Sequence, residues 1–161
     1  MLRRAACLSL LFLASTGCSY LYGVLAVVRD GRIHFVVEPN SRREPTCVRQ
    51  IEIIARDGPN AEPASGDDVD RVSYGTYWYE NVDHEDNCAN QFPLPYATTL
   101  KGRHQSDLGL VTPKPLLREV IYDISTTSGT NGYGNGRFVI LADGKVRNLD
   151  PNEALPEEPT P

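Results

Sequence analysis

The chain has 161 residues, of which 40% are hydrophobic and 23% are charged, and its formal net charge is -5. This composition suits a single globular domain and excludes collagen-like, coiled-coil and fully disordered chains. An acidic protein repels a phosphate backbone, so the charge also argues against a nucleic-acid partner.

The N-terminus has the three-part layout of a secretory signal. Arg3 and Arg4 form a short basic start, residues 5–14 are apolar, and small residues lead up to Gly17. The apolar run is too short for a membrane-spanning helix, which needs about 20 residues. We expect residues 1–17 to be removed and residues 18–149 to form the folded domain.

Small residues that lead directly into Cys18 resemble the lipobox of bacterial lipoproteins. The resemblance implies cleavage after Gly17, lipidation of the Cys18 thiol and acylation of the new amine. The position three before the cysteine, usually Leu in that family, is Ser15 here. The alternative is an ordinary secretory signal that ends near a chance cysteine. By the rule for Gram-negative lipoproteins, Ser19 after the cysteine implies transfer to the periplasmic face of the outer membrane.

The four cysteines support an exported protein. Cys7 lies in the signal and Cys18 would carry the lipid, so Cys47 and Cys88 remain. We predict that these two form a disulfide, because such bonds persist in oxidising compartments. A zinc site or a catalytic thiol is the alternative. The sequence has neither a C-x-x-C motif nor a nearby histidine pair to favour zinc.

Short β-rich runs separated by Gly, Pro, Asn and Asp dominate the remaining chain. The Asp-Gly pair at 30–31 predicts a two-residue hairpin turn, and a second Asp-Gly pair at 143–144 predicts another. Residues 150–161 are rich in Pro and Glu, which predicts a disordered tail. The predicted strands cover residues 23–29, 32–38, 47–55, 71–79, 92–100, 119–126, 137–142 and 145–149.

This strand spacing favours an all-β fold, an antiparallel sandwich of about seven or eight strands, with a small β-barrel as the alternative. Residues 117–149 resemble the last two strands of an immunoglobulin or fibronectin type III domain. In that resemblance Tyr122 takes the place of the strand-F tyrosine, and Trp78 is a candidate core tryptophan. Cys88 departs from the antibody pattern because it follows Trp78 too closely to form the usual inter-sheet bond.

The predicted strand 71–79 is rich in aromatic residues, and its alternation assigns them to two faces. Tyr74 and Trp78 share the face expected in the core. Tyr77 and Tyr79 share the other face, where they are candidate binding residues for a sugar or a protein. Cross-strand packing is the structural alternative.

Two polar segments are further candidates. The Gly/Asn-rich residues 128–136 predict a flexible hairpin tip, and its Tyr133 is a candidate contact residue. No helix is predicted after its glycines, so a phosphate-binding loop is excluded. Asp83, Glu85 and Asp86 form an acidic loop, for which we favour a solvated surface over a cation site.

No G-x-S-x-G or H-E-x-x-H motif occurs in the chain, and no cofactor is predicted. The leading hypothesis is therefore a non-enzymatic, lipid-anchored module that binds an envelope protein or glycan or supports the envelope. A glycan hydrolase that uses Asp83 with Glu85 or Asp86 is one alternative. A hydrolase inhibitor that inserts the tip 128–136 is the other.

Overall fold

The structure is a computed structural model that describes residues 19–150. The predicted signal peptide, Cys18 and all of the predicted tail except Asp150 lie outside these described residues. The chain is mostly β, with short helical segments between strands. Helix α1 spans Val69–Ser73, and 3₁₀ helices span His84–Ala89 and Ser106–Leu108. The strands are β1 Tyr20–Arg29, β2 Arg32–Val37, β3 Gln50–Ala55, β4 Thr76–Asn81, β5 Leu94–Pro95, β6 Ile121–Ser128, β7 Gly132–Ile140 and β8 Val146–Asn148.

The eight described strands form one strongly curled mixed sheet in the order β4-β3-β6-β7-β1-β2-β5, and β8 pairs with β7. The predictions of a mostly β chain and of about eight strands are confirmed. The finer prediction of a two-sheet antiparallel sandwich is wrong, because β1 pairs in parallel with β7 and thereby joins the N-terminal and C-terminal hairpins edge to edge. Curling brings the inner face around a core, so no second sheet is required. The alternative prediction, a small barrel, would have the same curl, but a closed barrel requires its first and last strands to pair. Here β4 and β5 are the two ends of the strand order and do not pair with each other.

Of the two predicted two-residue turns, the one at 30–31 is confirmed and the one at 143–144 is wrong. Asp30 and Gly31 have φ angles of 50° and 72° between β1 and β2, as a type I′ turn requires. The connection from β7 to β8 instead covers residues 141–145, and of the Asp143–Gly144 pair only Gly144 has a positive φ, 84°. The predicted strand at 92–100 shortens to β5, which pairs only with β2 and ends the sheet there. Prolines favour such an edge because they cannot donate to a ladder.

The strand predicted at 71–79 is wrong in its first half. Residues Val69–Ser73 form α1, and the Asp68 side chain caps it by accepting a hydrogen bond from Arg71 N at 3.2 Å. The strand β4 begins only at Thr76. A capping acid and one apolar position on the buried side, Val72, outweigh the local β propensity.

The core fills the concave face of the curl. Its aromatic centre is a chain of ring contacts, in which Tyr122 stacks on Phe138 at 5.4 Å and meets Tyr77 edge-on at 5.2 Å. Tyr122 also accepts a hydrogen bond from Leu117 N at 2.8 Å. The other large, fully buried side chains include Trp78, Phe35, Ile51, Ile53, Leu100 and Ile124.

Candidate functional site

The candidate site is the end of the sheet where the described chain begins. Strand β1 starts at Tyr20, two residues after Cys18, and Tyr20 N donates a hydrogen bond to Asn131 O at 2.9 Å. The first residues of β1 then pair in parallel with Gly132–Asn135 of β7. We define the proximal end as residues 20–22, 41–43 and 129–133.

Tyrosines of β1 fill the space above glycines of β7 on the inner side of the proximal end. A Cβ on Gly134 would lie 2.2 Å from the Tyr22 ring, and one on Gly136 would lie 1.9 Å from Val24 O. The Tyr22 hydroxyl crosses Gly134 and hydrogen-bonds Thr126 Oγ1 of β6 at 2.9 Å. Burial raises the pKa of Tyr22 to about 12, against the weaker opposing effect of the Thr126 hydrogen bond.

These contacts correct the prediction of a flexible tip at 128–136. Only residues 129–131 form the turn, and the glycines that follow belong to β7. The glycine-rich sequence accommodates aromatic side chains from the neighbouring strand, in place of the loop flexibility we predicted. That reason could not be read from the segment alone, because β1 lies more than a hundred residues away along the chain.

The outer side of the proximal end carries two exposed apolar side chains. Leu21 is 70% exposed and Tyr133 is 43% exposed, and the two residues are direct register partners on β1 and β7. Tyr133 thus lies at the surface, where a contact residue must lie. Leu21 was missed because the predicted strand began at residue 23. Extending the alternation of Tyr22, Val24 and Ala26 back to Tyr20 would have placed Leu21 outward.

A cation and a polar anchor complete the proximal end. The Arg43 guanidinium lies over the Tyr20 ring, 5.0 Å from its centroid. The Ser41 hydroxyl accepts a hydrogen bond from Gly23 N at 2.9 Å. These contacts hold the segment after β2 against the start of β1.

The structure contradicts the surface assignment of Tyr77 and Tyr79. They are only 2% and 3% exposed, whereas Tyr74, predicted for the core, is 83% exposed. Tyr77 packs in the main core and donates to Pro59 O at 2.8 Å. Tyr79 lies on the outer face, but α1 covers it, and Arg71 stacks on its ring at 3.7 Å. Both side chains are therefore buried, and neither lies on the surface where the alternation placed it.

The structure contains a disulfide between Cys47 and Cys88, the pairing that the cysteine count predicts. It joins the segment before β3 to the 3₁₀ helix His84–Ala89. The next contact leads to the proximal end, because the Asn87 side chain accepts a hydrogen bond from Gly129 N at 2.8 Å. The disulfide therefore fixes the position of Asn87, the residue that hydrogen-bonds the β6–β7 turn.

The acidic loop at 83–86 is tied to one arginine. Asp83 forms an ion pair with the Arg103 side chain, and Asp86 accepts a hydrogen bond from Arg103 N at 2.8 Å. Within residues 19–150, no group of three or more His, Cys, Asp or Glu side chains is placed to hold a metal ion. The loop thus has a structural role in fastening residues 101–104.

A cleft of about 430 Å³ opens where β1 and β8 diverge along β7. Asn148 bridges the divergence, because its side-chain amide accepts from Ala26 N and donates to Ala26 O, both at 2.8 Å. Arg137, also in the lining, donates to Asp123 Oδ1 at 2.6 Å. The Asn148 amide thus replaces backbone pairing where β1 and β8 diverge, whereas Arg137 and Asp123 are register partners in the regular β6–β7 ladder.

Among the helices in the described part of the chain, none combines the length and apolar character needed to cross a membrane. Comparison with protein-family models, with curated proteins and with solved structures found no match to this chain.

Proposed function

We propose that this protein is a lipid-anchored envelope lipoprotein whose β domain acts as a non-enzymatic binding or support module. The observation that carries the proposal is the sequence around Cys18, where a signal-like segment ends in small residues directly before a cysteine. The resemblance implies the periplasmic face of the outer membrane as its location. The membrane is then the first partner, and an envelope protein or glycan is the second.

The energetics of the anchor are favourable. Each buried CH₂ group contributes about 0.8 kcal/mol, and two or more acyl chains hold a protein stably where one does not. The Cys47–Cys88 disulfide supports the same compartment, since disulfides are typical of oxidising environments outside the cytosol.

The geometry lends no specific support to the two alternatives. A hydrolase would need two accessible carboxyl groups facing a substrate. Asp83 and Asp86 instead hold the side chain and backbone of Arg103. An inhibitor would need a protruding tip, whereas the described β6–β7 turn has only three residues, 129–131.

Intact mass spectrometry of the protein purified from membranes tests the anchor. We expect a chain that begins at Cys18 and carries a diacylglyceryl group and an N-acyl chain. A Cys18→Ser variant is the matched control and should remain uncleaved and unacylated. A soluble, full-length precursor with reduced Cys47 and Cys88 would overturn the proposal.

Crosslinking in native envelopes tests the binding module. We expect a specific crosslinked partner, protein or glycan, that is recovered with the wild-type chain and lost when the fold is disrupted. Turnover of purified peptidoglycan by the protein, abolished by replacing Asp83, would instead establish the hydrolase.

A further inference from the structure

We propose that the outer side of the proximal end lies against the lipid surface, with Leu21 and Tyr133 in the headgroup region of the bilayer. This inference rests on the lipid anchor at Cys18 proposed above and extends it from one residue to an orientation of the whole domain. The occupant of the exposed apolar pair is then the membrane.

The short connection to the anchor carries the argument. Leu21 lies three residues after Cys18, a span of at most about 11 Å even in a fully extended chain. Strand β1 is already fixed at Tyr20 by its hydrogen bond to Asn131 O. Only Ser19 separates the anchor cysteine from the folded domain. The domain therefore has no linker that would let the proximal end leave the surface.

The chemistry of the exposed residues suits this position. Tyr is enriched at membrane–water interfaces, where its ring meets apolar carbon and its hydroxyl meets water. Leu21 supplies an aliphatic side chain beside it on the same face. Exposing both to water in an isolated domain leaves apolar area uncovered, and contact with the upper part of the acyl chains would cover it.

Charge has a secondary role at this surface. Arg43 lies over Tyr20, and Arg42 beside it is exposed. Glu44 follows directly, so the segment is not strongly basic. We therefore assign the contact to the apolar pair.

Bilayer contact can be measured with single tryptophans as quenching reporters. Leu21→Trp, Tyr133→Trp and Tyr74→Trp are made in the complete, lipidated protein and reconstituted in phosphatidylcholine vesicles whose acyl chains are brominated near the headgroup. Tyr74 is the matched control because it is highly exposed but far from the proximal end. It lies just before β4, which is four strands from β1 in the strand order, and it stands at the opposite end of the sheet. The native Trp78 is fully buried and adds the same background to each variant.

We expect tryptophan at positions 21 and 133 to lose about half or more of its fluorescence in brominated vesicles, relative to unbrominated ones. Tryptophan at position 74 should keep its fluorescence. Circular dichroism of each variant verifies that the fold is unchanged, which the exposure of all three positions favours.

The outcomes separate the two proposals. If acyl chains are present on Cys18 but positions 21 and 133 are not quenched, the orientation is wrong and the anchor stands. Equal quenching at position 74 also overturns the orientation, since the domain would then lie on the surface without a preferred end. If the purified protein carries no acyl chain, both proposals fall. If position 133 is shielded from solvent in native envelopes but is not quenched in brominated vesicles, a protein covers this surface. That outcome would overturn contact with lipid.

Discussion

Strands β4 and β7 show how differently two strands of one sheet are buried. All six residues of β4 are buried, on both faces. In the first half of β7, buried Gly132 and Gly134 alternate with exposed Tyr133 and Asn135. The outer face of β4 is covered by α1 and by the segment around Val111, whereas the outer face of β7 near the proximal end is open.

The comparison teaches that alternation identifies a surface face only where one side of the sheet is uncovered. In β7 the alternation of glycine with polar or aromatic residues matches a buried and an exposed face, and Tyr133 lies on the exposed face. In β4 the same period gave a wrong result for two reasons. A register irregularity between Ile53 and Ile54 leaves Tyr77 in the main core with Trp78, and Tyr79 on the outer face is covered by residues outside the sheet. Its cover depends on contacts that the strand sequence does not contain.

A buried ion pair holds that cover in place. The Asp67 carboxylate accepts hydrogen bonds from Thr112 N at 2.8 Å, from Ala64 N at 2.7 Å and from the Lys114 ammonium. Burial by itself would raise the pKa of Asp67, but the hydrogen bonds from Lys114 and the other donors outweigh it and lower the pKa to about 2. The loop after β3 is thus fastened to the segment that runs along the edge of β4.

The largest contrast should appear when a tyrosine is removed from each strand. Tyr79→Ala should lower the free energy of unfolding by about 4 kcal/mol, because it leaves a cavity beneath α1 and removes the ring on which Arg71 stacks. Tyr133→Ala should change it by no more than about 0.5 kcal/mol. Urea unfolding followed by circular dichroism measures both. Equal losses would show that the two strands are not buried differently.

The cover of β4 can be tested through its ion pair. Lys114→Met should cost about 3 kcal/mol, since it leaves the Asp67 charge buried without its cation. The control is Lys145→Met, which breaks an exposed pair with Asp143 and should cost less than about 1 kcal/mol. Thermal unfolding measures both variants. A Lys114→Met protein as stable as the control would argue that the pair does not hold the cover.

The close approach of β1 and β7 can be tested at a glycine. Gly136→Ala should cost about 2.5 kcal/mol, because its Cβ would collide with the Val24 carbonyl of the backbone. Asn135→Ala, one residue earlier on the exposed side, should be nearly neutral. If Gly136→Ala is tolerated as well as Asn135→Ala, the two strands do not pack as closely as described. Denaturant midpoints distinguish the two results.

The smallest expected effect is a pH dependence of the β4 cover. The folded-state pKa of Asp67, about 2, is below its ordinary value of 3.8, so its contribution to stability is complete above about pH 4 and is lost as the pH falls toward 2. The loss should approach about 2 kcal/mol. Asp67→Asn should lack this part of the acid dependence. The unfolding free energy of wild type and of Asp67→Asn is measured as the pH is lowered. If it falls equally in both proteins, the assignment is contradicted.

Local sequence was sufficient for several features of the chain. The Asp-Gly pair at 30–31 predicted its tight turn correctly because few other residues adopt positive φ at low cost, whereas the pair at 143–144 lies within a five-residue connection. Prolines at 93 and 95 predicted an edge strand because they cannot donate to a ladder. The number of strands followed from the spacing of β-rich runs. The lipid anchor at Cys18 also comes from local sequence and stays a prediction until the mature N-terminus is measured.

Only the tertiary structure decided how these strands are arranged and which faces are covered. Parallel pairing of β1 with β7 depends on Tyr22 fitting above Gly134, a match between residues more than a hundred positions apart. The burial of Tyr79 depends on α1 and on the Asp67–Lys114 pair. Alternation indicates which residues of a regular strand share a face, but the register irregularity opposite Tyr77 interrupts it in β4. Contacts from distant segments then determine whether a face meets solvent.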